Sequence, residues 1–244
     1  MTTVSNYQYG IRFNGHRSNE FGVDVGVSKV IGFPPKNKVT VTPVGANGVL
    51  DLTAAYRPSF GERTITVPFI IVDHALWTKE SMYVQWTKVV NWLMSPQGKI
   101  PLWDDLMSEW HYLAEVQDAP SFDEAATTGT FTVVFQCYPF RIRDKPEFDD
   151  VWDDFNFDLD VAMETHLDGA SRTRTTLVNL GVADVAITVV ANGTGSLIIG
   201  DNTISLVNGT NSSTELVLEP GENSVTLVGG SELSADISWY SEVI

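Results

Sequence analysis

Short runs of alternating apolar and polar residues fill most of the chain, and one stretch alone repeats its apolar residues at helical spacing. Gly10-Ile-Arg-Phe13 and Gly22-Val-Asp-Val-Gly-Val27 are strand-like and set between polar, Gly-rich breaks. Lys38-Val-Thr-Val-Thr42 and Val49-Leu-Asp-Leu52 flank Pro43-Val-Gly-Ala-Asn-Gly48, whose Asn47-Gly48 suits positive φ, so a long β-hairpin is expected there. Arg63-Thr-Ile-Thr-Val-Pro-Phe-Ile-Ile-Val72 predicts a further strand, and Pro68, with no amide to donate, belongs at an edge or bulge. Thr78 can cap a helix over 78–94 in which Met82, Trp86, Val89, Val90 and Leu93 recur, with Pro96 and Gly98 as its stop. Beyond it, Trp103-Asp-Asp105 reads as a turn and Trp110-His-Tyr-Leu-Ala-Glu-Val116 as a strand. Gly129-Thr-Phe-Thr-Val-Val-Phe-Gln-Cys137 is a stronger strand, ended by Tyr138-Pro139-Phe140. From Thr175 onward, seven short strands (177–180, 185–190, 196–199, 203–207, 215–218, 224–228, 233–239) lie between Asn, Gly, Asp and Pro turns, which argues for a small antiparallel sandwich.

Composition adds a boundary. With 43% apolar and 19% charged residues in 244 positions the chain folds, as one large domain or two small ones. Its formal charge of −16 is lopsided: residues 1–145 carry 13 Lys/Arg and 14 Asp/Glu, whereas 146–244 carry only Arg172 and Arg174 against 17 acids. Between 147 and 168 there are nine acids and no Lys or Arg, with Trp152, Phe155 and Phe157 among them. Such a block is expected to be a solvated connector with aromatic anchors. The division is therefore 1–143, a connector over 144–174, and 175–244. A neutral first half and an acidic second half argue against tight nucleic acid binding and against an anionic lipid surface. No run is long enough to span a membrane and no secretory signal is visible, so synthesis in the cytoplasm is expected. The single Cys137 allows no intrachain disulfide and reads as a buried thiol.

A search for chemistry yields nothing that assembles a catalytic, cofactor or metal site. There is no Gly-x-Ser-x-Gly elbow, and His16, His74, His111 and His166 stand singly. Gly193-Thr-Gly195 lacks the third Gly of a dinucleotide fingerprint. An EF-hand counted from Asp149 fails at Val151 and has Asp154 where the turn Gly belongs. Asn192-Gly-Thr194, Asn208-Gly-Thr210 and Asn211-Ser-Ser213 fit the glycosylation pattern but read as turns, and the adjacent Asp104 and Asp105 offer no carboxylate separation for glycosidase work. No enzyme is expected.

The order of motifs is informative. Phe13-Asn-Gly15, Phe21-Gly-Val23, Val44-Gly-Ala-Asn-Gly-Val-Leu-Asp51, Phe60-Gly-Glu-Arg-Thr-Ile-Thr-Val67, the Trp-rich helix and Phe131-Thr-Val-Val-Phe-Gln-Cys-Tyr-Pro139 resemble the N-terminal domain of the distal tail protein family of long-tailed bacteriophages. Val178-Asn-Leu-Gly181, Val185-Ala-Ile-Thr188, Leu197-Ile-Ile-Gly-Asp-Asn-Thr-Ile-Ser-Leu206 and Pro220-Gly-Glu-Asn-Ser-Val-Thr-Leu227 resemble its C-terminal domain. The resemblance implies a mostly β protein: an N-terminal sandwich-like domain with one helix and a hairpin arm, and a galectin-like C-terminal sandwich. It implies a virion protein forming a hexameric ring that joins the tail tube to the tip or baseplate and to receptor-binding proteins. The hairpin arm, with Val44, Asn47, Val49, Leu50 and Leu52, is the candidate subunit interface, and Trp152, Phe155 and Phe157 are candidate connector anchors. Two rivals are a carbohydrate-binding module and a glycan hydrolase. Against the first, 158–238 contains no Phe, Trp or Tyr, and Trp239 is expected in the core.

Overall fold

The computed structural model describes residues 9–26, 28–45, 47–72, 78–118, 120–124, 128–147 and 160–244. It is mostly β and divides into two compact units. One comprises Met1–Asp51 and Ser59–Arg141, the other Leu52–Pro58 and Ile142–Ile244.

The first unit is built on one antiparallel sheet. Its strands run in the order His16–Arg17, Ile11–Phe13, Ile100–Asp104, Trp110–Glu115, Thr128–Arg143, Arg63–Val72 and Val23–Val25, with Val30–Ile31 also beside Arg63–Val72. Asn14 and Gly15 close the first hairpin with φ of 47° and 75°, the paired positive angles that let a two-residue loop follow strand twist. Alternation places Ile65, Val67, Phe69, Ile71, Phe131, Val133, Phe135 and Cys137 on one buried face. The helix Lys79–Met94 covers that face with Met82, Val89, Trp92 and Leu93, and Thr78 caps it by accepting the Ser81 amide at 3.2 Å. Trp92, which helical spacing alone did not single out, donates its indole N–H to the Phe13 carbonyl at 2.8 Å. It also stacks on Phe21 at 4.6 Å.

Three local expectations are corrected. The positive φ expected at Asn47-Gly48 falls instead at Gly45, at 82°. Pro68, expected at an edge or bulge, sits within a long strand where the facing ladder is interrupted: Val25 pairs with Phe69 and Val30 with Thr66, so four residues stand opposite two. Its carbonyl accepts the Gly26 amide at 2.8 Å, so its nitrogen faces the same side, where the neighbouring chain leaves the ladder between Val23–Val25 and Val30–Ile31. Pro139 does not end its strand, which runs to Arg143: pairing with Arg63–Val72 stops at Cys137, so no amide is needed on that side. The segment Ile100–Asp104, read in part as a turn, is a strand between Ile11–Phe13 and Trp110–Glu115.

The second unit is the expected sandwich. One sheet orders His166–Asp168, Ser234–Ser238, Thr188–Asn192 and Gly209–Asn211; the other orders Arg174–Asn179, Gly221–Val228, Gly195–Ile199 and Asn202–Leu206. Their inward residues, among them Leu167, Val189 and Ile237 against Leu177, Leu197 and Leu227, share one core. Trp239 is buried in it, as expected. Of the acidic stretch, the described residues 147 and 160–168 pack in part on the second unit. His166–Asp168 is a sheet strand, Met163 packs on the core, and Glu147 and Asp160 are buried carboxylates on Arg143, at 3.1 and 3.0 Å. The Ser241 hydroxyl also donates to Glu147 at 2.6 Å. Burial opposes the Arg143 charge, yet Glu147 and Asp160 hold its pKa above the usual guanidinium value.

Candidate assembly interface

The expected hairpin is the outer part of a longer ribbon. Its base keeps one register from the Val30–Thr66 pair to the Asn37 amide, which donates to the Ser59 carbonyl at 2.9 Å. Held to that register, Thr40 would face Tyr56; it faces Asp51, so the return leg carries five residues more than the outgoing one. The surplus is taken up by the segment 52–58, which contains a 3-10 turn at Thr53–Ala55 and clusters with the second unit.

At the tip, Thr40–Val41 pairs with Leu50–Asp51 and with no third strand among the described residues. Val44 is fully exposed, Asn47 and Val49 are exposed, Leu50 is 52% exposed, and Leu52 is half-buried. A two-stranded ribbon this short is marginal in water by itself. One that also holds Val41, Val44, Val49 and Leu50 in solvent is suited to being covered. The ribbon base adds Val30, Ile31 and Phe33, the last 83% exposed, which sequence reading passed over. The available signal was an apolar Val30-Ile-Gly-Phe33 directly before Pro34-Pro35, which cannot extend a ladder edge.

Elsewhere on the first unit, registered pairs carry Arg17, Arg12, Trp103 and His111 in a row across four strands. The Arg12 guanidinium lies 3.9 Å from the Trp103 ring centre, and Arg17 binds Asp105 at 2.5 Å. Lys29 pairs with Asp104, so acids accompany these cations and no broad positive field forms. His16 and His166 sit on exposed carboxylates, Glu20 and Asp236. Burial pushes the Cys137 thiol up to about 12. Among the described residues no group of His, Cys, Asp and Glu could hold a metal ion, and no helix is long and apolar enough to cross a membrane. Trp152, Phe155, Phe157, His74 and the acidic run 149–154 lie outside the described residues.

The described residues thus form two β units and a ribbon tip that pairs with no third strand and carries exposed apolar side chains. The comparisons give the kind of protein: residues 6–137 match the family described as phage tail protein RIFT-related domain, and the chain belongs to that family. It is a structural protein of the phage tail and thus of the virion. Among solved structures it is similar to Dit (gp 19.1) of phage SPP1, described as a paradigm of the hub adsorption apparatus in phages infecting Gram-positive bacteria. That likeness has a TM-score of 0.68 at 10% identity and covers 97% of this chain and 99% of the other, which establishes a shared fold. No curated protein sequence matches the chain.

Proposed function

We propose that this protein is the distal tail subunit of a long-tailed phage, assembling as a hexameric ring that joins the tail tube to the tip or baseplate and to host-adsorption proteins. The observation that carries the reading is the ribbon tip, whose Val44, Val49 and Leu50 stand in solvent on a strand pair with no third partner. The fold shared with the SPP1 hub protein supports the position in the tail. Head-to-tail contacts made by such an arm stop growing when the rotation closes, and six copies of 26.9 kDa give a ring near ~160 kDa. The sandwich serves as a docking module for other tail proteins. It buries Trp239, and its own strands present Tyr240 as their exposed ring among the described residues, with Tyr56 exposed on the segment 52–58 beside it, a sparse platform for a pyranose. Light scattering on the purified chain, with and without residues 44–49, tests the reading: the intact chain forms the ring and the shortened one stays smaller while still folded.

A further inference from the structure

The seven residues 52–58 leave the ribbon and run with the sandwich, where Arg57 meets two acids. One guanidinium nitrogen binds Asp184 and the other binds Glu219 at 2.6 Å. Val185 pairs with Leu218, so Asp184 and Glu219, each one residue beyond, stand directly across from one another. Like charges at opposed positions of a strand pair repel. A planar fork with donors on two nitrogens relieves that repulsion by bridging both.

Both acids hang from turns that are locked from beneath. Buried Asn179 donates to the carbonyls of Ala183 at 2.8 Å and Leu218 at 3.0 Å, and accepts the Gly181 amide at 2.8 Å. Buried Asn223 accepts the Glu219 amide at 2.9 Å and donates to the carbonyls of Glu219 and Gly221 at 2.8 and 2.9 Å. These asparagines belong to the motifs Val178-Asn-Leu-Gly181 and Pro220-Gly-Glu-Asn223, which the ring reading leaves without a role. Each asparagine is engaged with the backbone of the turn that presents one acid. The backbone that carries each acid is therefore held by contacts that do not involve Arg57.

We infer that Asp184 and Glu219 form a guanidinium socket on the sandwich, that Arg57 is its plug, and that this plug restrains the hairpin arm Thr40–Asp51. The strap follows the arm without a break, so its attachment limits how far the arm's return leg can move. A restrained arm loses less freedom when it is covered, which strengthens assembly without adding a contact. The assembly part of this inference rests on the ring reading, whereas the attachment part does not.

Hydrogen exchange of the segment 50–58 separates the two. In the wild-type chain at low salt the segment is protected. Arg57→Ala, or Asp184→Asn with Glu219→Gln, raises its exchange about two- to fivefold and leaves the strands Gly195–Ile199 and Gly221–Val228 unchanged. Arg57→Glu combined with Asp184→Arg and Glu219→Arg restores protection. Near 1 M salt, where screening acts within about 3 Å, the wild-type chain approaches the Arg57→Ala rate. Equal exchange in the wild type and Arg57→Ala, or failure of the reversed charges to restore it, overturns the socket. If exchange responds as stated but Arg57→Ala assembles as well as the wild type, the strap is attached and the claim that it restrains the arm for assembly fails. A wild-type chain that does not assemble, with exchange responding as stated, refutes the ring reading and leaves the socket standing.

Discussion

At the residue scale, the clearest consequences come from groups whose partners are buried with them. Arg143, Glu147 and Asp160 have side chains at most 12% exposed, so Arg143→Ala strands two carboxylates in the second unit. Breaking such a pair costs about 3 kcal/mol, and a thermal melt should show a lowered midpoint that Glu147→Gln with Asp160→Asn partly restores. Trp92→Phe keeps an aromatic ring against Phe21 but leaves the Phe13 carbonyl without its 2.8 Å donor. That change is worth about 1–3 kcal/mol in chemical denaturation, with helix content unchanged. The Cys137 thiol, buried and raised to about 12, should stay unmodified by a disulfide reagent at pH 8 until the protein is unfolded. Asp168 gives a pH signature. The Ser171 hydroxyl and backbone amide, with the Arg172 and Ala170 amides, hold its carboxyl below the ordinary value of 3.8. A lowered folded-state pKa means stabilisation that is complete above the ordinary value and is lost as the pH falls through the lowered one. Asp168→Asn should therefore lower stability at neutral pH and remove the part of the acid dependence that lies below about pH 4, so that the two proteins converge at low pH.

At the scale of elements, the arm can be separated from the fold it serves. Leu50 and Val49 are solvent-facing, so Leu50→Glu with Val49→Thr should shift unfolding by no more than about 0.5 kcal/mol while weakening self-association more than tenfold by light scattering. Much of this element was legible from alternation, although its positive φ falls at Gly45 and not at Asn47-Gly48, and the helix was legible from its cap and spacing. What escaped depended on neighbours. Pro139 looks like a strand breaker until it is known which side of its strand lacks a partner, and only the three-dimensional pairing shows that. The five-residue surplus in the ribbon is likewise invisible locally, because nothing in 52–58 marks it until the registers on either side are compared. The acids at 147 and 160 read as solvated because their common cation, Arg143, lies outside the acidic block. The socket needs five positions from three distant segments, so its two motifs were visible as family signatures but not as a mechanism.

For the whole molecule, two cores with no common residue imply two unfolding events. Phe135→Ala should lower one calorimetric transition by about 3–5 kcal/mol and Leu197→Ala the other by about 2–5 kcal/mol. A single transition moved by both substitutions would show one cooperative body. The division 1–143, 144–174 and 175–244 remains our proposal for where the chain changes role, and the strap at 52–58 crosses it. The central claim is that this tail protein closes into a six-membered ring through its arm. Light scattering at micromolar concentration measures it most directly: the ring reading predicts a concentration-independent mass near ~160 kDa that collapses toward the 26.9 kDa chain when residues 44–49 are removed. A stable monomer for the intact chain, or a ring that persists without those residues, would contradict it.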